Sequence, residues 1–151
     1  MKLAEALILR ADCQKRLDQL KQRLIRSAKV QEGDSPPEEP SALLVEVERT
    51  AEELLGLVSR INRTNCSAPL DNGALSDALA ERDVLTLWRS IYSDVAQAAV
   101  IQQDRYSKSE VRFRSTLNVA EMQETADRLA RRRRELDAQI QQANWQVDLV
   151  E

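Results

Sequence analysis

Five arginines within seven positions, Arg128 and Arg131-Arg132-Arg133-Arg134, are the residues best equipped for chemistry, because a guanidinium binds phosphate or carboxylate through two parallel hydrogen bonds. Arg105, Lys108, Arg112 and Arg114 reinforce them at a distance. Four consecutive residues on a helix point through most of a turn, so they do not all face one phosphate backbone. Asp127, Glu135 and Asp137 also dilute the field. Solvation or pairing between helices is the expected role, ahead of an anionic partner, with nucleic acid the least favoured.

The other reactive side chains lack the company that catalysis needs. Cys13 and Cys66 have no motif spacing, and the chain has no His, so the common Cys/His zinc and iron sites are short of ligands and Cys13 has no histidine base. Free thiols in a reducing cytoplasm are expected, with an intramolecular disulfide as the alternative. Ser107-Lys108-Ser109-Glu110 only superficially resembles a Ser/Lys pair. Glu110 and the carboxylates of the second helix would hold a divalent ion only if several chains brought them together. Asp77, Glu81 and Asp83 are accounted for by the dipole at a helix start. There is no glycine-rich phosphate cradle and no dinucleotide fingerprint. No catalytic, cofactor-binding or metal residue is assigned, and no cofactor is expected.

The elements that would position these groups are helices. Apolar residues make up 42 % of the 151 positions and charged residues 31 %, with three Gly and four Pro, a balance suited to helices with one buried face. Charge alternates along the chain under a net charge of -3: residues 1–30 carry eight basic against three acidic side chains, and residues 31–60 two against eight. Such blocks suit neighbouring antiparallel helices or subunits. Glu5 and Arg10 break the apolar start of the chain too early for a signal peptide, and nothing approaches 18 consecutive apolar residues. A cytoplasmic protein without a transmembrane segment is expected, so the sequons at Asn62 and Asn65 read as chance matches.

Four amphipathic stretches follow. In the first, Ala6, Leu9, Cys13, Leu17, Leu20 and Leu24 step by three or four, widened by Leu3, Leu7 and Ala11. A loop with Gly33, Pro36, Pro37 and Pro40 covers residues 31–40 and is expected to be the most mobile segment. Ser41 is the expected cap of the second helix, whose stripe is Leu44, Val47, Ala51, Leu54, Val58 and Ile61 flanked by Leu43 and Leu55. Pro69 and Asp71-Asn72-Gly73 supply turn formers in the next break, from Asn65 to Gly73. The third helix, from Leu75 to Gln103, aligns Ala78, Leu85, Trp88, Tyr92, Val95 and Ala99, with Trp88 as a core or interface anchor. Val111 and Phe113 alternate with Glu110, Arg112 and Arg114, which predicts a short strand or extended arm within residues 106–117 that pairs with another subunit or a partner strand. Asn118 with Glu121 three residues later starts the fourth helix, whose stripe is Met122, Ala126, Leu129, Leu136, Ile140, Ala143 and Val147. Arg133 falls on that stripe, its stem expected to cover apolar surface while its head reaches water.

The segments Met1-Lys2-Leu3-Ala4-Glu5-Ala6-Leu7, Gln14-Lys15-Arg16, Val30-Gln31-Glu32-Gly33 and Ile61-Asn62-Arg63-Thr64-Asn65 resemble a family of small bacterial helical proteins of unknown function, some of them labelled septicolysin-like. Leu79-Ala80-Glu81-Arg82-Asp83, Arg105-Tyr106-Ser107 and Ala143-Asn144-Trp145 extend the resemblance along nearly the whole chain. The label implies a cytolysin, from which this sequence departs by lacking a secretion signal and a membrane-competent segment. The polar run Asn62 to Asn65 marks either a site or the capped end of a helix. The expected fold is all-α, an elongated antiparallel four-helix bundle in one domain over residues 1–151. The expected function is self-assembly as a homo-oligomer, through coiled-coil-like stripes, or binding of a protein partner, with an anion- or nucleic-acid-binding module using the arginine cluster and then a metal-assisted enzyme as the alternatives.

Overall fold

The fold is known from a computed structural model, which describes residues 1–101 and 111–151. It is an all-α, mostly antiparallel four-helix bundle with one short two-stranded element. The helices are α1 (Leu3–Ser27), α2 (Pro40–Ser67), α3 (Leu75–Ala99) and α4 (Val119–Gln146), and the strands are β1 (Pro69–Leu70) and β2 (Gly73–Ala74). The chain forms two compact units, Met1–Pro69 with Gln142–Glu151, and Leu70–Gln141.

In the first unit α1 packs on α2. The shielded line of α1 runs Leu3, Ala6, Arg10, Cys13, Leu17, Leu20, Leu24 and Ser27, which alternates steps of three and four and keeps one face inward. Arg10 therefore holds the position that spacing offered to Leu9, which is exposed. Its Nε is buried with no hydrogen-bond partner. On α2 the buried face is rotated from the expected stripe. It runs Leu43, Val47, Thr50, Leu54, Leu57, Ile61, Thr64 and Ala68, whereas Leu44 and Ala51 face outward. Two threonines sit inside because each hydroxyl donates to the carbonyl four residues back, Thr50 to Glu46 and Thr64 to Arg60, both at 2.8 Å. A satisfied hydroxyl leaves a β-branched residue free to pack as valine would.

α2 begins earlier than its expected cap. Pro40 takes the first helical position, where its missing N–H costs nothing, and the Glu39 carboxylate accepts from the Ser41 hydroxyl at 2.8 Å. It also ends later, at Ser67, running through the first residues of the expected break. In the preceding loop, Glu38 accepts hydrogen bonds from Arg23 on α1 through Nε and Nη2. The Arg23 hydrogen bonds hold the Glu38 carboxyl below its ordinary range. A carboxylate with a lowered native pKa contributes stability that is fully present above its unfolded value, about 4.3, and is lost as pH falls through the native one. An NMR titration should therefore find Glu38 titrating below the ordinary Glu range in the wild type and returning to it in Arg23→Gln; an unchanged midpoint would show the pair absent in solution.

In the second unit β1 and β2 pair as a hairpin around Asp71 and Asn72. Asp71 adopts φ 50, a left-handed turn conformation that Asp tolerates. The Ala74 N–H donates to Asp77 Oδ2 at 2.9 Å and so caps α3. A Cβ on Gly73 would stand 2.8 Å from that oxygen, which explains glycine there. α3 buries Leu75, Ala78, Leu85 and Ala96 and ends at Ala99, short of the expected Gln103: Val100 and Ile101 are not helical, and Gln102 and Gln103 lie outside the described residues. α4 follows its expected stripe throughout, with Ala126, Leu129, Leu136 and Ile140 buried in this unit and Asn118 Oδ1 accepting from the Glu121 N–H at 3.2 Å. Of the expected strand or arm, residues 106–110 lie outside the described residues, and residues 111–117 form no strand. The pairing strands are instead those flanking the Asp71-Asn72 turn.

Candidate functional site

Two of the five arginines in the α4 row, Arg132 and Arg133, meet carboxylates in their own unit. Arg132 donates to Glu81 on α3 at 3.0–3.1 Å, through Nε and Nη2, and Arg82 Nε lies 4.0 Å from Asp137. These pairs join α3 to α4. Arg128 donates to Thr125 at 3.3 Å. Arg131 and Arg134 are exposed and carry no partner among the described residues. Arg112 and Arg114 are exposed as well, while Arg105, Lys108, Ser107 and Glu110 lie outside the described residues.

Arg133 stays on the buried stripe as expected. Its Nη2 is 3.7 Å from Asp137 on the same helix, and its Nε is buried with no hydrogen-bond partner. Replacing it with Met keeps an apolar stem of similar reach and removes a desolvated donor. Arg133→Met is expected to raise the unfolding free energy by about 1 kcal/mol, measured by urea denaturation. A loss of that size would instead assign the guanidinium a supporting role.

Between the hairpin and the row lies an open groove of about 460 Å³ with Asp71, Asp77, Glu81 and Arg132 as its charged groups. Asp77 accepts from the Ala74 N–H and Glu81 pairs with Arg132, so three of these four groups already have partners within the chain. Among the described residues no three of His, Cys, Asp and Glu gather where a metal could be held. Cys13 is buried on the α1 stripe, where burial first, and the Glu53 carboxylate second, push its thiol upward. A thiol shifted that way is a poor nucleophile. Cys66 is free and exposed.

A second face of α3 is apolar and open. Val84, Leu87, Trp88 and Ile91 are 59 %, 63 %, 48 % and 52 % exposed, at the spacing i, i+3, i+4, i+7 that places side chains together on one side of a helix. Ala80 and Ala98 are exposed at the ends of the same face and Val95 is half-buried within it. At 100° per residue this face lies about 120° around the helix from Ala78, Leu85 and Ala96. Trp88 is thus no core residue: α3 carries two apolar faces, and the core takes the other one. No charged residue occupies the line from Ala80 through Val84, Leu87, Ile91 and Val95 to Ala98.

The comparisons place this chain among proteins of undetermined role. A family of unknown function, DUF6847, matches residues 10–149. The chain belongs to that family. This DUF6847 chain is similar to a functionally unknown conserved protein from Corynebacterium diphtheriae, whose crystal structure matches at 44 % identity and a TM-score of 0.93 over 99 % of each chain. No curated protein matches it.

In this DUF6847 protein the polar run Asn62 to Asn65 is partly structural. Thr64 is fully buried near the end of α2, and its Oγ1 accepts from the Val150 N–H at 3.0 Å. Arg60 Nε donates to the Val150 carbonyl at 3.0 Å. The first residues complete the same corner: Leu3 N–H donates to the Val147 carbonyl at 3.0 Å, Leu149 N–H to the Met1 carbonyl at 2.9 Å, and Lys2 Nζ sits 2.9 Å from Asp148. The spacing of Arg60 and Thr64, one helical turn apart, is visible in the sequence, but their partner lies 86 residues beyond Thr64. The α3 face is different. Its spacing is as legible in the sequence as that of any core stripe, and only the competition between two faces hid it.

Proposed function

We propose that this DUF6847 protein acts without catalysis, by association: self-assembly, or capture of a protein partner, through an apolar helix surface. The observation that carries the reading is the uncharged face of α3, whose four large side chains expose on the order of 400 Å², within the range of monomer patches that commonly serve binding. The pairing of Arg132 with Glu81, and of Asp77 with the Ala74 N–H, supports it, since groups already paired are poorly placed to receive a substrate. A reducing, cytoplasmic setting suits the two free thiols. The septicolysin-like resemblance enters as a resemblance alone: among the described residues no helix is long and apolar enough to cross a membrane, and no lytic activity is proposed.

Native mass spectrometry of protein isolated gently from its own host tests the reading, because one spectrum reports subunit count and retained non-protein mass together. A defined homomeric or heteromeric complex without added small-molecule mass is the expected result. A monomer carrying a reproducible small ligand would replace association with ligand chemistry.

A second reading has its own observation. Arg131 and Arg134 have no partner among the described residues, which leaves two exposed guanidinium groups for an anion or nucleic acid. Such binding weakens as salt rises and responds to Arg131 and Arg134 more than to Arg133. A low-salt nucleic-acid titration without binding removes that form of it.

A further inference from the structure

We infer that the α3 face is closed by the same face of a second copy of this chain, the two helices running antiparallel about a two-fold axis beside Trp88. The inference rests on the association reading and names its partner. In chain order the line reads Ala80, Val84, Leu87, Ile91, Val95, Ala98, small to large and back to small. Reversing one helix against another places Ala80 opposite Ala98, Val84 opposite Val95 and Leu87 opposite Ile91. That self-complementarity is the requirement of an isologous interface, in which one patch meets itself under a two-fold rotation. An unrelated partner imposes no such symmetry on the sequence.

Size and charge agree with it. Trp88, Leu87 and Ile91 fall nearest the axis, where buried aromatic anchors carry most of the energy of an interface. The absence of charge along the line means that no unpaired ion is buried when the faces meet. Two such faces, with Ala80, Val95, Ala98 and their polar rims included, reach the order of 1,200 Å² at which specific interfaces begin.

Sedimentation of the full chain at micromolar concentration is expected to show a dimer. Leu87→Asp, at a position 63 % exposed in the single chain, should weaken dimerisation at least ~100-fold with helical content unchanged, because a carboxylate would enter the dry centre. Cross-linking reads the direction. In a Cys66→Ser background, Val84→Cys and Val95→Cys chains, mixed and mildly oxidised, should form a mixed disulfide dimer. Neither should link efficiently to its own kind, because the two positions lie about 16 Å apart along the helix and a disulfide spans less than ~7 Å between Cα atoms. A dimer that survives Leu87→Asp, or that links Val84→Cys chains to each other, overturns this pairing and leaves association through another surface standing. A chain that stays monomeric overturns the pairing and the self-assembly half of the proposed function together.

Discussion

Replacing Ile61 with Ala is expected to lower the unfolding free energy by about 2–5 kcal/mol, the range for truncating a large aliphatic side chain in a packed interior. Ile61 is 1 % exposed and lies on the buried line of α2, between Leu57 and Thr64. The loss combines the transfer energy of the deleted carbons with a cavity that long helices cannot easily collapse into. A protein of this size has a net stability of roughly 5–15 kcal/mol, so one residue removes a large share of it. At about 2–4 °C per kcal/mol, the thermal midpoint should fall by on the order of 10 °C. Leu44→Ala is the internal control. Sequence spacing places Leu44 on the buried stripe, whereas the structure leaves it half exposed, so its truncation should cost under about 1 kcal/mol. Equal losses at the two positions, measured by urea denaturation, would return the buried face of α2 to the Leu44 side.

That contrast shows where the sequence is legible and where it is not. The α4 stripe can be read in full from Met122 to Val147, including Arg133, because every position but one on it is unambiguously apolar and the opposite side is charged. The α2 stripe comes out rotated because Thr50 and Thr64 look polar in a list of residues, while on a helix each hydroxyl is satisfied by the turn beneath it. Ala51, beside Thr50, and Val58, beside Leu57, then complete a regular but displaced pattern. On α1, Arg10 lies on the shielded line through its stem, which no apolar count would include. On α3 the difficulty is of another kind. Two apolar faces share one helix, and periodicity shows that side chains group together without showing which group finds a partner within the chain. Trp88, read from spacing as a core or interface anchor, lies outside the core for this reason. The hairpin turn at Asp71-Asn72-Gly73 is legible as a turn, while strands of two residues are too short to carry a pattern. The carboxylates that meet the α4 arginines depend on packing, so charge blocks predict that pairs form without identifying Glu81 or Asp137.

The hydroxyl of Thr64 allows the most specific test of the corner where the two ends of the chain meet. Thr64→Val preserves shape and removes the one atom that accepts from the Val150 N–H, so no cavity forms and the consequence is an unpaired amide beside a fully buried side chain. The expected cost is about 1–3 kcal/mol. Its location is as informative as its size. α2 should keep its helicity, since Thr64 lies in the helix and valine is tolerated there at a few tenths of a kcal/mol. The Val150 amide should lose its protection from hydrogen exchange, together with that of Leu149, whose N–H is held by the Met1 carbonyl in the same corner. Thr64→Ser keeps the acceptor and loses a methyl group, so it should destabilise the protein while leaving Val150 protected. The two variants separate packing from hydrogen bonding at one position. If Val150 exchanges at the wild-type rate in Thr64→Val, the hydroxyl does not hold the C-terminal segment, and the polar run of α2 requires a different role. If only Val150 and Leu149 are released, Arg60 and Thr64 act as a two-point clamp on one residue, gripping its carbonyl and its amide from successive turns of a single helix.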